Sequence, residues 1–166
     1  QKATAQLMRD LGSMMSPQSA FILNLGLESL HVRMERHCEN AQAVAEYLQK
    51  HPKITWVRYS GLPGDAYHKA AKKYLPKGSC GVVSFGVKGG RDAAETFMKH
   101  LKLGTIATHV ADARTCCLHP ASSTHRQMND AELDAAGVGA DLVRLSVGLE
   151  SKEDLITDLE QALAEA

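Results

Sequence analysis

The chain lacks several features that would assign it to a functional class at once. It has no apolar run approaching the roughly 20 residues that cross a bilayer, and no signal-peptide pattern at its start. It also has no excess of charge, because 19 basic residues balance 19 acidic ones. This balance gives no electrostatic reason to expect a nucleic acid or an acidic membrane as partner. The length of 166 residues suits one domain with a proper core.

Cysteine is scarce, and its spacing excludes the common metal and redox motifs. The four cysteines are Cys38, Cys80, Cys116 and Cys117, and none forms a C-x-x-C pair. Cys116 and Cys117 are poor disulfide partners, because neighbouring residues of a strand point to opposite faces. We expect four reduced cysteines that act as small apolar residues, which favours a reducing cytoplasm.

Nucleotide-binding and nucleophilic motifs are also missing. The glycines of Gly86-Val-Lys-Gly-Gly90 match neither a phosphate loop nor a dinucleotide fingerprint, so a tight strand-to-helix turn is predicted there. Three histidines, His109, His119 and His125, lie within seventeen residues. Their spacing matches no known metal pattern. We favour a polar loop whose hydroxyls bind a ligand, with simple turn formation by Ser and Thr as the alternative.

The order of apolar patterns predicts an α/β (α+β-like) fold. One helix should run from Pro17 to about Lys50, since apolar residues recur there at three- and four-residue steps. A capping box at Ser151 should open the last helix. The predicted strands are 54–59, 80–87, one within 105–118, and 142–147. We therefore expect a small, mainly antiparallel sheet with helices on one face, preceded by a long helix.

Arg144 is the most informative residue of the last strand. Val143, Leu145 and Val147 share one face of that strand, which places Arg144 on the opposite face. A guanidinium on a half-buried strand needs an anionic partner. The partner is either the carboxylate of a small acid or an internal Asp or Glu, and the strand position leaves both open. If helices cover only one face, the bare face with Arg144 indicates half of a larger molecule.

Two further features bear on partners. Five charged or titratable residues crowd one turn of the long helix, and a solvated face or a partner surface is predicted there: His31, Arg33, Glu35, Arg36 and His37. The chain also starts at Gln1 directly in helix-forming sequence, and we expect it to be the cut end of something longer.

Several segments, in this order, resemble one enzyme family over essentially the whole chain. They are Gly26-Leu-Glu-Ser-Leu-His-Val-Arg-Met-Glu-Arg-His37, Gly61-Leu-Pro63, Tyr74-Leu-Pro-Lys-Gly78, Val83-Ser-Phe-Gly86, His119-Pro-Ala-Ser-Ser-Thr-His125 and Arg144-Leu-Ser-Val-Gly-Leu-Glu150. The chain resembles the C-terminal domain of the pyridoxal-phosphate-dependent transsulfuration enzymes, the Cys/Met metabolism family of fold type I. It is most similar to the branch that acts on O-acetylhomoserine.

The resemblance implies roles for three residues. Arg144 would hold the α-carboxylate of the amino-acid substrate, and Thr124 would help to set that site. His109 stands where the family usually has Ser or Asn, so its contact with the carboxylate is altered or its loop differs in shape. The family's cofactor lysine follows Ser-x-Thr in an upstream large domain, and no lysine here has that context. No catalytic, cofactor-binding or metal-binding residue is therefore implied in this chain.

The implied activity is γ-replacement in methionine and cysteine biosynthesis. Pyridoxal phosphate supplies an electron sink while acetate leaves O-acetylhomoserine and sulfide adds to give homocysteine. Residues 1–166 would form the C-terminal domain of a cytoplasmic homo-oligomer, a homotetramer, with 1–50 as the helical connection from the missing large domain. The chain alone would be inactive. Alternatives are a cystathionine or methionine γ-lyase, a cystathionine γ-synthase relative, or, in another class, a non-catalytic binding or oligomerisation domain.

Overall fold

The structure is a computed structural model that describes residues 1–166. The chain divides into two compact units, Gln1–Val32 and Arg33–Ala166. No helix combines the length and the apolarity that crossing a membrane requires.

The first unit is helical. A stretch with π-type hydrogen bonding, Ala3–Met8, continues into the single α-helical turn α1, Arg9–Leu11, and ends at Gly12 in the left-handed region. Helix α2, Pro17–Glu28, starts as predicted, because the Ser16 hydroxyl accepts from the Ser19 backbone N–H and proline occupies the first turn. No residue of α2 is buried, and its large apolar side chains are exposed: Phe21, Ile22, Leu23, Leu25 and Leu27.

The predicted single helix from Pro17 to Lys50 is wrong at one point. Helix α2 ends at Glu28, and helix α3 spans Leu30–Lys50. Ser29 between them has φ −102° and ψ 4°, outside helical geometry. Serine disfavours helix interiors because its hydroxyl offers the backbone alternative hydrogen bonds. The apolar spacing continued across Ser29 and so did not signal the interruption.

The second unit, to which α3 contributes from Arg33 onward, contains one five-stranded sheet. Its strands are β1 (Ile54–Arg58), β2 (Val82–Val87), β3 (Thr105–Ile106), β4 (Cys116–Leu118) and β5 (Leu142–Ser146). Its other helices are α4 (His68–Tyr74), α5 (Gly90–His100), α6 (Asp130–Ala135) and α7 (Lys152–Glu165). The strand order is β1-β2-β5-β4-β3, and all pairings are antiparallel except the parallel β3–β4 pair. The mainly antiparallel sheet is confirmed, although the single strand predicted within 105–118 is two.

Helices cover one face of this sheet, as predicted. Val143, Leu145 and Val147 belong to the buried core, together with apolar residues of helices α3, α5 and α7. Cys117 lies in the same core. Phe85 of β2 meets Phe97 of α5 edge to face, with ring centroids 5.8 Å apart. Period-two alternation therefore assigned the core face of β5 correctly.

The opposite face is covered along β4 and the end of β5, which corrects the expectation of an uncovered sheet for these two strands, while Thr55 and Arg58 of β1 are exposed as expected. Cys116, Leu118 and Ser146 are all buried although they lie on the face opposite to Cys117 and Leu145. The Ala111 backbone N–H donates to Ser146 Oγ at 3.0 Å, so the loop before β4 crosses this face. Buried polar groups need hydrogen-bond partners, and this loop supplies one for the Ser146 hydroxyl.

Side chains cap α2, α6 and α7, but the reciprocal capping box lies elsewhere than predicted. At α7 the Ser151 hydroxyl accepts from the Asp154 N–H, while its own proton goes to Glu153 rather than completing a box with Asp154. The complete capping box lies at α6, where Asn129 and Glu132 exchange side-chain-to-backbone hydrogen bonds.

Candidate functional site

Arg144 projects from the centre of the sheet on the face opposite the helices. Its neighbours across the sheet are Ser84 of β2 and Leu118 of β4. Its Nη2 donates to the Thr108 carbonyl oxygen at 2.9 Å, while its Nε is buried without any partner. No carboxylate oxygen lies within 4.0 Å of the guanidinium. The sequence left open whether Arg144 pairs with a small acid or with an internal Asp or Glu. The internal salt bridge is not formed.

The loop 107–113 is folded back over Arg144 and strand β5. Ala111 has a φ of 62°, in the left-handed region that costs a residue with a Cβ about 1–3 kcal/mol. Its N–H is fixed on Ser146, and the Thr108 carbonyl points at Arg144. This reversal brings His109 towards Asp112, and it places both side chains beside the start of β4.

His109, Asp112 and Cys116 form a cluster at this reversal. One ring nitrogen of His109, one carboxylate oxygen of Asp112 and the Cys116 Sγ all lie within 4.8 Å of one another. The Arg114 backbone N–H, 3.0 Å from Asp112 Oδ1, holds the pKa of that carboxyl below its usual value. Burial raises the pKa of the Cys116 thiol.

The segment 119–125 has a mainly structural role at its start and an exposed hydroxyl near its end. His119 is buried, and its Nε2 donates to the Ala140 carbonyl while its Nδ1 pairs with the Ser122 hydroxyl, both at 2.8 Å. An Nε2 that bonds a carbonyl must carry a proton, and in the neutral ring Nδ1 is then the acceptor for the Ser122 hydroxyl. Thr124 is exposed, and its hydroxyl lies 2.9 Å from His125 Nδ1. Thr124 makes no hydrogen bond with Arg144.

The three histidines His109, His119 and His125, whose spacing matches no metal pattern, do not come together as a metal site. His119 has both ring nitrogens engaged, and neither His119 nor His125 belongs to a group of possible metal ligands. The sequence analysis named His109 but did not connect it with Asp112 and Cys116, whose ligand atoms lie within 4.8 Å of one of its ring nitrogens.

Three residues that hold the end of the Arg144–Glu150 segment were also missed as site residues. Thr115 bonds both oxygens of the Glu150 carboxylate and accepts from the Gly148 N–H. Asn40 donates to the carbonyls of Gly148 and Glu150, and His37 Nδ1 lies 2.6 Å from the carbonyl oxygen of Val147. These contacts fix the chain immediately after β5.

The position of His37 corrects the interpretation of the charged turn on the long helix. His37 is only 2% exposed, so it is not part of a solvated face. The neighbouring Glu35 and Arg36 are exposed, as expected. A histidine at a helix position flanked by charges gave no sequence signal of burial, because burial depends on the approach of Val147 from the far end of the chain.

The residues around Arg144 fit a carboxylate rather than an aldehyde cofactor. A pyridoxal carbonyl needs a lysine amine, and no lysine of this chain is preceded by Ser-x-Thr or hydrogen-bonded within this site. The site instead offers a guanidinium that has no carboxylate partner within the chain. A guanidinium of this kind can form two parallel hydrogen bonds with a carboxylate.

Comparison with known proteins gives consistent matches along the chain. The family model described as Cys/Met metabolism PLP-dependent enzyme matches residues 1–164. Homocysteine synthase of Schizosaccharomyces pombe is 48% identical over 158 residues, which are 95% of this chain and 37% of that protein. O-acetyl-L-homoserine sulfhydrylase of Leptospira meyeri is 48% identical over 163 residues, covering 98% and 37%.

A solved structure is similar as well. The crystal structure of a putative O-acetylhomoserine (thiol)-lyase from Campylobacter jejuni, which carries a pyridoxyl-lysine phosphate group, has a TM-score of 0.89 and 40% identity. The match covers 98% of this chain and 39% of that one. The chain therefore spans 37–39% of the length of these relatives.

Proposed function

The chain belongs to the Cys/Met metabolism PLP-dependent enzyme family, and within it we propose that the chain is part of an O-acetylhomoserine sulfhydrylase. The reaction is the replacement of the acetate of O-acetylhomoserine by sulfide, which gives homocysteine. Pyridoxal phosphate, when bound to the enzyme, supplies the electron sink for this chemistry. The names and the identities of the relatives support this assignment. The contribution of this chain is to bind and orient the amino acid.

The unpaired guanidinium of Arg144 is the observation that carries the proposal. Of its five N–H donors, only one is used within the chain, on the Thr108 carbonyl. A cation that is partly buried among Ser84, Leu118 and Ser146 without an anion is costly unless a ligand supplies the charge. The α-carboxylate of an amino acid fits the planar fork with two parallel hydrogen bonds.

We assign supporting positions to Thr124 and His109. The exposed Thr124 hydroxyl would help to set the carboxylate site, and His109 lies one residue from the carbonyl that holds Arg144. Fixing the carboxylate fixes the direction of the Cα–H bond of the substrate. Such orientation can account for several kcal/mol of a reaction barrier.

The test is Arg144→Lys in the enzyme that contains this chain together with the lysine-bearing domain. Lysine keeps the charge and loses the fork, so one charged hydrogen bond worth about 1.5–3 kcal/mol should be lost. We expect KM for O-acetylhomoserine to rise about 10- to 150-fold. Arg91→Lys is the matched control. Arg91 lies on α5, and its side chain forms a solvent-exposed ion pair with Asp130. An unchanged KM and kcat in Arg144→Lys would refute the carboxylate clamp.

Acceptor choice separates the proposed activity from its alternatives. A sulfhydrylase should form homocysteine from sulfide, whereas a γ-lyase should release a keto acid without an acceptor, and a synthase relative should form cystathionine from cysteine. Production of cystathionine or keto acid at rates above homocysteine formation would reject the sulfhydrylase assignment in favour of the alternative that matches.

The domain organisation is part of the same proposal. We assign residues 1–166 to the C-terminal domain, with 1–50 as the helical connection to a large domain, in a cytoplasmic homo-oligomer. The large exposed apolar side chains of α2 support a surface that is covered in the assembled enzyme. Four free cysteines suit a reducing compartment.

A further inference from the structure

We propose that His109, Asp112 and Cys116 form a zinc(II) site with one coordination position open to solvent. The site goes beyond the carboxylate clamp, and it does not depend on the substrate assignment. Its three ligand atoms come from a short loop and the first residue of β4, within eight residues of sequence.

The ligand types suit zinc better than other common divalent ions. Zinc binds imidazole nitrogen, thiolate sulfur and carboxylate oxygen, whereas magnesium and calcium prefer oxygen ligands alone. Three protein ligands with a fourth position for water are a common zinc arrangement. The thiol of Cys116 would lose its proton to solvent and bind as thiolate, since a metal ion deprotonates a coordinated thiol outright.

The geometry requires only small side-chain movements. The three ligand atoms already lie within 4.8 Å of one another. Zinc bond lengths imply separations of about 3.3–3.6 Å between ligand atoms in a tetrahedral site. His109 is exposed and Asp112 is only partly buried, so both can rotate towards the Cys116 sulfur, which strand β4 holds in place.

Two arginines oppose the metal, and their positions make this opposition weak. Arg114 Nε lies 3.7 Å from Asp112 Oδ1, but its side chain is 75% exposed and can turn into solvent. Arg144 is held by Thr108 on the other arm of the loop. The thiolate and the carboxylate together neutralise the two charges of zinc. In the zinc-bound chain His109 is a ligand, so it contributes to the carboxylate site only when zinc is absent.

The test uses the 166-residue chain, purified without a polyhistidine tag and stripped of metal with a chelator. Zinc binding is measured by calorimetry, and cobalt(II) serves as the spectroscopic probe. We expect one equivalent of metal, tetrahedral d–d bands of cobalt, and a thiolate-to-cobalt charge-transfer band. Cys116→Ser should abolish the charge-transfer band. His109→Ala and Asp112→Ala should each weaken zinc binding at least about tenfold, the change for about 1.4 kcal/mol.

Cys80→Ser is the matched control, because Cys80 is a second free thiol far from the loop in sequence. It should leave both the zinc affinity and the cobalt spectrum unchanged. Absence of stoichiometric zinc binding would overturn the site, and so would a charge-transfer band that survives Cys116→Ser or is lost in Cys80→Ser. His109→Ala changes an exposed side chain, so it should fold even if Cys116→Ser does not, and an unchanged affinity in it would also reject the site.

Discussion

Asn40 provides the most direct test of how the segment after Arg144 is held. Its side chain is fully buried on α3, at 0% exposure. Its Nδ2 donates to the Gly148 carbonyl at 2.9 Å and to the Glu150 carbonyl at 2.8 Å. Its Oδ1 is buried and has no partner. The amide therefore satisfies two carbonyls at the cost of one orphan acceptor.

Asn40→Leu keeps the approximate shape and removes all three polar contributions. The two carbonyls lose a donor, and an unsatisfied buried group costs about 1–3 kcal/mol. The substitution also removes the Asn40 Oδ1 atom, which is buried without a partner, and this regains about the same free energy for one group. The free energy of unfolding should therefore fall by about 1–3 kcal/mol. In a chain of this size that lowers the Tm by roughly 2–12 °C, since 1 kcal/mol corresponds to about 2–4 °C.

At neutral pH, Asn40→Asp should lower the free energy of unfolding more than Asn40→Leu does, because a carboxylate would face two carbonyl oxygens. Burial and this repulsion raise the folded-state pKa of the new carboxyl above its unfolded value of about 3.9. Between these two values the folded state binds more protons than the unfolded state, so stability falls as the pH rises. Asn40→Asp should thus recover part of its stability relative to the original protein when the pH is lowered from 7 towards 4.

The assay is urea unfolding followed by circular dichroism at pH 7 and pH 4. Gln49→Leu is the matched control, because Gln49 is an exposed amide on the same helix and its loss should change stability by less than about 0.5 kcal/mol. If Asn40→Leu were as stable as this control, or if Asn40→Asp lost stability on acidification relative to the original, the hydrogen-bond account of this segment would be refuted.

Two further predictions concern the cysteines and the surface of the first unit. Burial raises the pKa of the Cys117 thiol to about 12. Alkylation of the native chain at pH 8, followed by mass spectrometry, should therefore modify Cys80 well before Cys117. Equal rates of modification would contradict the burial of Cys117. The exposed apolar side chains of α2 should cause self-association in light scattering, and Phe21→Ser with Leu25→Ser should reduce it. A clean monomer at high concentration before substitution would count against a covered surface.

The features that depend on local pattern were predictable from the sequence. Strand β5 and its two faces followed from alternation, since Val143 and Leu145 are in the core and Arg144 is not. The start of α2 followed from Ser16-Pro17. The local break at Ser29 was missed because the apolar spacing continues across it, and the burial of His37 was missed because it depends on Val147, which is 110 residues away in sequence. No helical periodicity carries that information.

The loop over Arg144 shows why part of the site was also beyond the sequence. The Ala111 backbone lies at φ 62°, a conformation that alanine does not signal, so the reversal that covers the sheet was not predicted. The opposite orientation of Cys116 and Cys117 was predictable from strand alternation alone. Which sulfur would join Arg144 required the register, in which Cys116 pairs with Ser146 and Cys117 with Leu145. This register places the Cys116 thiol on the same face of the sheet as Arg144. The reversal at Ala111 then brings the His109 imidazole and the Asp112 carboxylate close to that thiol.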